Sequence, residues 1–140
     1  MWVFKSMFIL WVGIAIIILS TDRYVAYAVR EHAGRSIEQS LDGGIIASGY
    51  VTDAQNGYVQ LEEKSLEQAA RLLFRKNMNL DSNLENRLMK GSDFKLKLTH
   101  DTDGVPWVEV EFHTHVSFFF GDHPYPINVA RKIGYESIYK

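Results

Sequence analysis

The first twenty residues, MWVFKSMFILWVGIAIIILS, carry a single charged side chain, Lys5, and the stretch from Ser6 to Ser20 carries none. A helix needs roughly 20 apolar residues to cross about 30 Å of hydrocarbon, so the uncharged run alone is short. The deficit closes if Lys5 snorkels to the headgroups and lets Trp2 to Phe4 count, with Trp2 and Tyr24 as interfacial anchors at the two ends. The pattern therefore predicts a transmembrane helix over residues 1–20, anchored by Trp2, Phe8, Ile9, Leu10, Trp11, Ile14, Ile16, Ile17, Ile18 and Leu19. Two other readings fit the same stretch. One is a cleaved secretory signal, with Lys5 as its basic end, Met7 to Leu19 as its apolar region and Ala26-Tyr27-Ala28 as its cleavage site. The Asp22-Arg23 pair and the long interval before Ala26 weigh against it. The other is a helix buried in a soluble core.

Past Ser20 no proline interrupts the helix, and Val25, Ala26, Val29, Ala33, Ile37 and Leu41 recur at three- and four-residue steps. Gly43-Gly44 is the first stop signal, so one helix is expected from Trp2 to Asp42, roughly 60 Å long at 1.5 Å per residue. Its second part, residues 21–43, reads as an amphipathic stalk whose stripe of Val29, Ala33, Ile37 and Leu41 needs a partner, either the chain's own sheet or a neighbouring subunit. Ala33, Gly34 and Ser36 put small residues within one turn, which permits close approach of another element or reflects tolerance on a polar face.

Residues 44–140 read as a small α+β domain. The glycine-rich stretch to Leu61 is a connection with a short strand at Ile45 to Val51 and a turn at Asn56-Gly57. A helix is expected over Ser65 to Asp81, opened by Ser65-Leu-Glu-Gln68 as a capping box, with Leu66, Ala69, Ala70, Leu73, Phe74 and Met78 on its apolar face. A third, short helix is expected from Ser82 to Lys90, capped by Asp81 and ended by Gly91.

From Phe94 the period changes from 3.6 to 2. Phe94, Leu96 and Leu98 alternate with Lys95, Lys97 and Thr99; beyond HDTDGVP, Val108, Val110 and Phe112 alternate with Glu109, Glu111 and His113. One hairpin register matches Leu98 with Val108, Leu96 with Val110 and Phe94 with Phe112 on one face. It also sets Lys97 against Glu109, Lys95 against Glu111 and Asp93 against His113 on the other, and a one-residue slip destroys both sets. A third alternating strand, Ile127, Val129, Arg131, Ile133 and Tyr135, completes an antiparallel three-stranded meander. Consecutive aromatics at Phe118, Phe119 and Phe120 must point to both faces of such a sheet, so they pack on the chain's own helix or meet a partner.

The chain's 15 basic and 17 acidic residues are mixed along its length and sum to −2, with no basic block of the kind that neutralises a phosphate backbone, so nucleic acid is not an expected partner. Cysteine is absent, which removes disulfides, thiolate chemistry and cysteine-based zinc sites together. His113 and His115 lie about 7 Å apart on one strand face, a legitimate two-ligand spacing, but the hairpin register holds His100 and Asp101 at its far end. A solvated strand face is the simpler reading and a metal site the contrasting one; no cofactor is expected. Asp101-Thr-Asp-Gly104 resembles the start of a calcium loop, yet Phe112 stands where the closing glutamate belongs, and a hairpin turn explains it. No serine sits in a nucleophile elbow, and there is no phosphate-cradling glycine loop.

The order of these parts, carried by Phe8 to Ser40, Ser65 to Asp81 and Val108 to Phe120, resembles a type IV pilin or pseudopilin. Within that group it is more similar to the TadE-like pilus-assembly proteins of tight-adherence systems. The resemblance implies a non-enzymatic, single-pass component of a pilus or secretion assembly in the bacterial cell envelope. Its partners would be the membrane, further copies or other pilin-like subunits, and a membrane platform protein. Lateral association is then expected through the stripe of Val29, Ala33, Ile37 and Leu41. Main-class pilins have glutamate at the fifth position of the processed segment, whereas Lys5 stands there and Asp22 is the first acid. With Met1 as initiator no prepilin-peptidase site precedes the helix, and a non-processed accessory protein fits equally. Arg23, Arg30 and Arg35 outnumber Lys5 and favour a cytoplasmic C-terminal body, while the short basic N-terminal tail resembles a signal anchor. The expectation adopted is an extracytoplasmic body.

Overall fold

A computed structural model describes residues 1–48, 50–53, 58–60, 62–118 and 124–134. Asn56-Gly57, Phe119, Phe120 and Tyr135 fall outside these residues. The chain is α+β. A helix α1 (Trp2–Ser48) leads to a small ladder of β1 (Tyr50–Asp53) and β2 (Tyr58–Gln60), then α2 (Glu63–Asn77) and a three-stranded sheet of β3 (Met89–His100), β4 (Pro106–Val116) and β5 (Tyr125–Gly134).

The sheet is the expected antiparallel meander, in the order β3-β4-β5. Its hairpin has the expected register: Leu98 faces Val108, Leu96 faces Val110, Phe94 faces Phe112, and Asp93 faces His113. The turn closes through Gly104 N–H donating to the Asp101 carbonyl at 2.9 Å, with Gly104 at φ 78°, a left-handed conformation that glycine adopts without penalty. A bulge between Lys90 and Asp93 shifts the far end, so that Lys90 faces His115. At that bulge the buried Thr114 hydroxyl is satisfied by Ser92 Oγ at 2.9 Å. The cross-strand charged neighbours do not form the ion pairs expected between Lys95 and Glu111 or Asp93 and His113. Lys95 instead pairs along its own strand with Asp93 at 3.2 Å, and His113 Nδ1 bonds Asn128 Oδ1 of β5 at 2.6 Å. Long exposed side chains satisfy themselves with whichever neighbour is nearest, and β5 supplies one that the hairpin alone does not contain.

Helices α1 and α2 cover one face of the sheet. Phe74 of α2 lies 5.2 Å from Phe94 and 4.7 Å from Phe112, ring centre to ring centre, at the middle of the core. Leu66, Ala70 and Met78 follow Phe74 on the buried face of α2, as its period requires; Ala69 and Leu73 lie at the margin. Against them α1 lays Ala33, Ile37, Leu41 and Ile45 at four-residue steps, the first three fully buried.

Four expectations need correction. First, Gly43-Gly44 does not stop α1. A Cβ on Gly43 would lie 2.7 Å from Leu73 Cδ1, and one on Gly44 would lie 3.2–3.4 Å from backbone and side-chain atoms of Ala70. The two glycines serve the close crossing of two antiparallel helices, and the helix runs on to Ser48, through the stretch expected to begin a strand. Second, α2 begins two residues earlier than the capping box, with Glu62 at its N-cap and the Ser65 hydroxyl donating to the Glu62 carboxylate at 2.9 Å. It also ends at Asn77 rather than Asp81. Asn79 takes φ 53°, Leu80 N–H donates to the Arg75 carbonyl at 2.9 Å and Asn79 N–H to that of Lys76, the bond pair of a Schellman cap.

Third, residues 82–90 form no helix. Asp81 Oδ1 accepts from the backbone N–H groups of Asn83 and Glu85 at 2.8 and 3.0 Å, and Leu84 turns to φ 59° with its side chain fully buried. The aspartate caps a turn, and burial of Leu84 selects the left-handed backbone over a helical one. Fourth, the stalk is not separate from the domain. From Ala33 onward α1 is part of the core, so the division at residue 43 cuts through packed structure.

Candidate membrane anchor

At 47 residues and 1.5 Å per residue α1 is about 70 Å long, and its two halves meet different surroundings. The half from Trp2 to Leu19 is exposed along nearly all its length. It is long and apolar enough to cross a membrane, and its most apolar window has no part buried inside the protein. Of the ten anchoring residues read from the sequence, nine point outward, among them Trp2 at 87% and Trp11 at 72% of full exposure; Ile18 is half-covered. A core helix would hide these side chains, so the buried-helix reading is set aside. Contiguous apolar surface of this extent around a whole helix is foreign to water-exposed protein and marks a contact surface.

The backbone chemistry of this half suits an apolar medium. The amides inside the run are spent within the helix, and two of the hydroxyls that flank it are satisfied locally: Ser6 Oγ donates to the Trp2 carbonyl and Thr21 Oγ1 to that of Ile17, both at 2.8 Å. Lys5 lies one turn from the N-terminus, from which its stem can reach the headgroups.

The other half of α1 is fastened to the domain. The stripe of Ala33, Ile37 and Leu41, expected to associate with neighbouring copies, is closed by α2 and the sheet of the same chain, and Val29 packs at its edge. This is a further correction: the stripe has found its partner within the chain, and a second copy could reach it only by displacing that core. The small residues beside it have a use. Gly34 is buried where the Arg131 guanidinium of β5 lies against α1, and a Cβ there would collide with it. Arg131 Nε in turn donates to Glu38 Oε1 at 3.2 Å, tying β5 to α1. Ser40, fully buried, donates to the Ser36 carbonyl one turn back and accepts from Asn77 Nδ2 of α2 at 3.4 Å.

His113 and His115 occupy the solvent face of β4, as read. His113 Nδ1 is engaged by Asn128 and its Nε2 lies 3.8 Å from Glu111; His115 stands opposite Lys90 in the ladder, exposed to solvent. Among the described residues no three metal-ligating side chains come together. Two features escaped the sequence reading: the glycine pair as a helix crossing, and Arg23 and Arg30 as parts of one α1 face. The signal for the second was present, since Leu19, Arg23, Tyr27 and Arg30 follow one another at helical spacing. Neither a family model, nor a curated protein, nor a solved structure matches this chain.

Proposed function

We propose that this chain is a single-pass membrane protein in which α1 anchors and rigidly projects the α+β head, acting as a non-enzymatic, pilin-like component of a pilus or secretion assembly of the cell envelope. One observation carries the reading: a single unbroken helix is exposed and apolar along one half and forms the buried spine of a sheet domain in the other. No linker separates anchor from head, so any force or position imposed on the membrane segment is transmitted directly to the sheet. A protein that needed only tethering would gain nothing from that stiffness, whereas a subunit that must hold its head in register with its neighbours depends on it.

With the 33–45 stripe closed by its own domain, lateral association falls to the protruding half, where Phe8, Trp11 and Ile14 present large apolar side chains beside the small Gly13. Membrane platform and sibling subunits would meet the chain there. Retention of the anchor is supported by the backbone at Ala26-Tyr27-Ala28, which is helical and continuous with the core helix, a poor substrate for a protease that needs an extended strand. The short basic N-terminal tail, which resembles a signal anchor, supports an extracytoplasmic head.

The absence of cysteine makes the test clean. Single cysteines at Lys5 and Thr102 are expected to give a carbonate-resistant membrane protein in which an impermeant maleimide labels Thr102→Cys in intact spheroplasts and Lys5→Cys only after permeabilisation. Release of the chain by carbonate would refute the anchor, and the reverse labelling would refute the orientation. Oxidation of Ile14→Cys is expected to cross-link copies or sibling subunits; a monomeric band alone would remove the assembly reading.

A further inference from the structure

Where α1 leaves its apolar half and meets the sheet, the fold holds a groove of about 600 Å³, within the range of small-molecule sites. One wall is the α1 face of Leu19, Arg23, Tyr27 and Arg30; the other is Phe118 and Tyr125, whose rings contact at 5.7 Å with a 40° tilt. Arg35 and Arg131 each have a glutamate partner, but Arg23 and Arg30 make no hydrogen bond or ion pair among the described residues. Among the described residues that line the groove Asp22 is the one acid, so two guanidiniums stand against one carboxylate there. The groove thus offers two unspent fork-shaped donors beside an aromatic wall.

Its height along α1 identifies the occupant. Leu19 closes the apolar run, and at 1.5 Å per residue Arg23 stands about 6 Å and Arg30 about 16 Å beyond it. Side chains on a helix lean toward its N-terminus, here toward the membrane, so the Arg30 guanidinium reaches several ångströms back down the axis. The headgroup layer adds about 5–8 Å to each side of the hydrocarbon. Both guanidiniums therefore converge on the level of lipid phosphates. A soluble anion or an acidic protein segment would have to enter the bilayer surface to compete there.

We infer that this groove holds the headgroup of an anionic phospholipid, its phosphate between Arg23 and Arg30 and its glycerol and first methylenes against Phe118 and Tyr125. The inference rests on the membrane reading above. A lipid held so would fix the tilt and rotation of α1 at the bilayer surface, the two variables that a stiff helix passes on to its head.

The test uses the full chain in neutral detergent micelles with equimolar phosphatidylglycerol and phosphatidylcholine, and counts bound lipid by native mass spectrometry. Phosphatidylglycerol is expected to be retained in preference. Its affinity should fall about fivefold for each arginine removed in Arg23→Gln and Arg30→Gln. It should be largely kept in the Arg23→Lys/Arg30→Lys variant and unchanged in Arg71→Gln, an exposed arginine of α2 remote from the groove. Circular dichroism of each variant verifies the fold, and arginine Nε chemical-shift changes in the unmodified chain report the site without substitution. Equal retention of the two lipids, an unaltered double glutamine variant, or equally tight binding of glycerol 1-phosphate without acyl chains would overturn the inference. Insertion into vesicles is measured on the same samples: failure to insert refutes both readings, whereas insertion without lipid preference refutes this one alone.

Discussion

Replacing the two adjacent glycines of α1 separately should give opposite results, because they face different atoms of α2. Gly43→Ala removes the roughly 1 kcal/mol helix penalty of glycine, and its new methyl meets only the terminal Cδ1 of the half-buried Leu73, which can rotate away. A net stabilisation of about 0.5 kcal/mol is expected. Gly44→Val recovers a few tenths of a kcal/mol in propensity, but its Cβ would stand 3.2–3.3 Å from the amide nitrogen and Cα of Ala70, atoms that move only if the helix moves. Overpacking of this kind costs about 1–3 kcal/mol, so a loss of about that size is expected. Hydrogen exchange of the β4 amides in the full chain, in neutral detergent micelles, reads both changes on the head alone. If Gly43→Ala and Gly44→Val cost the same, the glycines act through their backbone conformation, as a helix stop would require, and the helix-crossing account fails.

Further outcomes follow from the same packing. Phe74→Ala should cost about 3–5 kcal/mol, since its ring is fully buried between Phe94 and Phe112, and the head should melt while α1 stays in the membrane; retention of the sheet's exchange protection would contradict the assigned core. Asp81→Ala should destabilise the head by about 0.5–2 kcal/mol through loss of two backbone partners, and Asp81→Asn should recover most of it, as read by thermal unfolding. Arg131→Gln should cost no more than about 1 kcal/mol, because the pair with Glu38 is partly exposed, and the loss should shrink in high salt. Zinc titrated onto the full chain should bind no more tightly than to a His113→Ala variant; a stoichiometric site abolished by that substitution would revive the metal reading of His113 and His115.

What the sequence made legible depended on how much of the answer was periodic. The β3–β4 hairpin could be read pair by pair, because its apolar and charged positions alternate in two strands at once and only one register satisfies both. The α2 face could be read for the same reason, at a period of 3.6. Glycine carried the errors. Gly43-Gly44 has the composition of a stop, and only the position of Leu73 and Ala70 across the interface turns it into a crossing. Residues 82–90 have a capping aspartate and a closing glycine, but the tertiary burial of Leu84 overrides the local helical signal. The stripe of α1 was legible as needing a partner, yet amphipathicity is silent on whose surface covers it. For the same reason the pairing of His113 with Asn128 could not be read from the hairpin: β5 enters the face from elsewhere in the chain.

The central claim is that membrane anchor and head core are one rigid helix, and a single distance tests it. Spin labels on Lys5→Cys and Gln39→Cys, both exposed on α1 in a chain without other cysteines, would be measured by double electron–electron resonance in lipid nanodiscs. At 1.5 Å per residue an unbroken helix places the two backbones about 51 Å apart, and a single narrow distribution near that value is expected. A broad distribution, or one centred well below it, would mean that the helix bends or melts between membrane and head, and the account of a rigidly projected domain would fall.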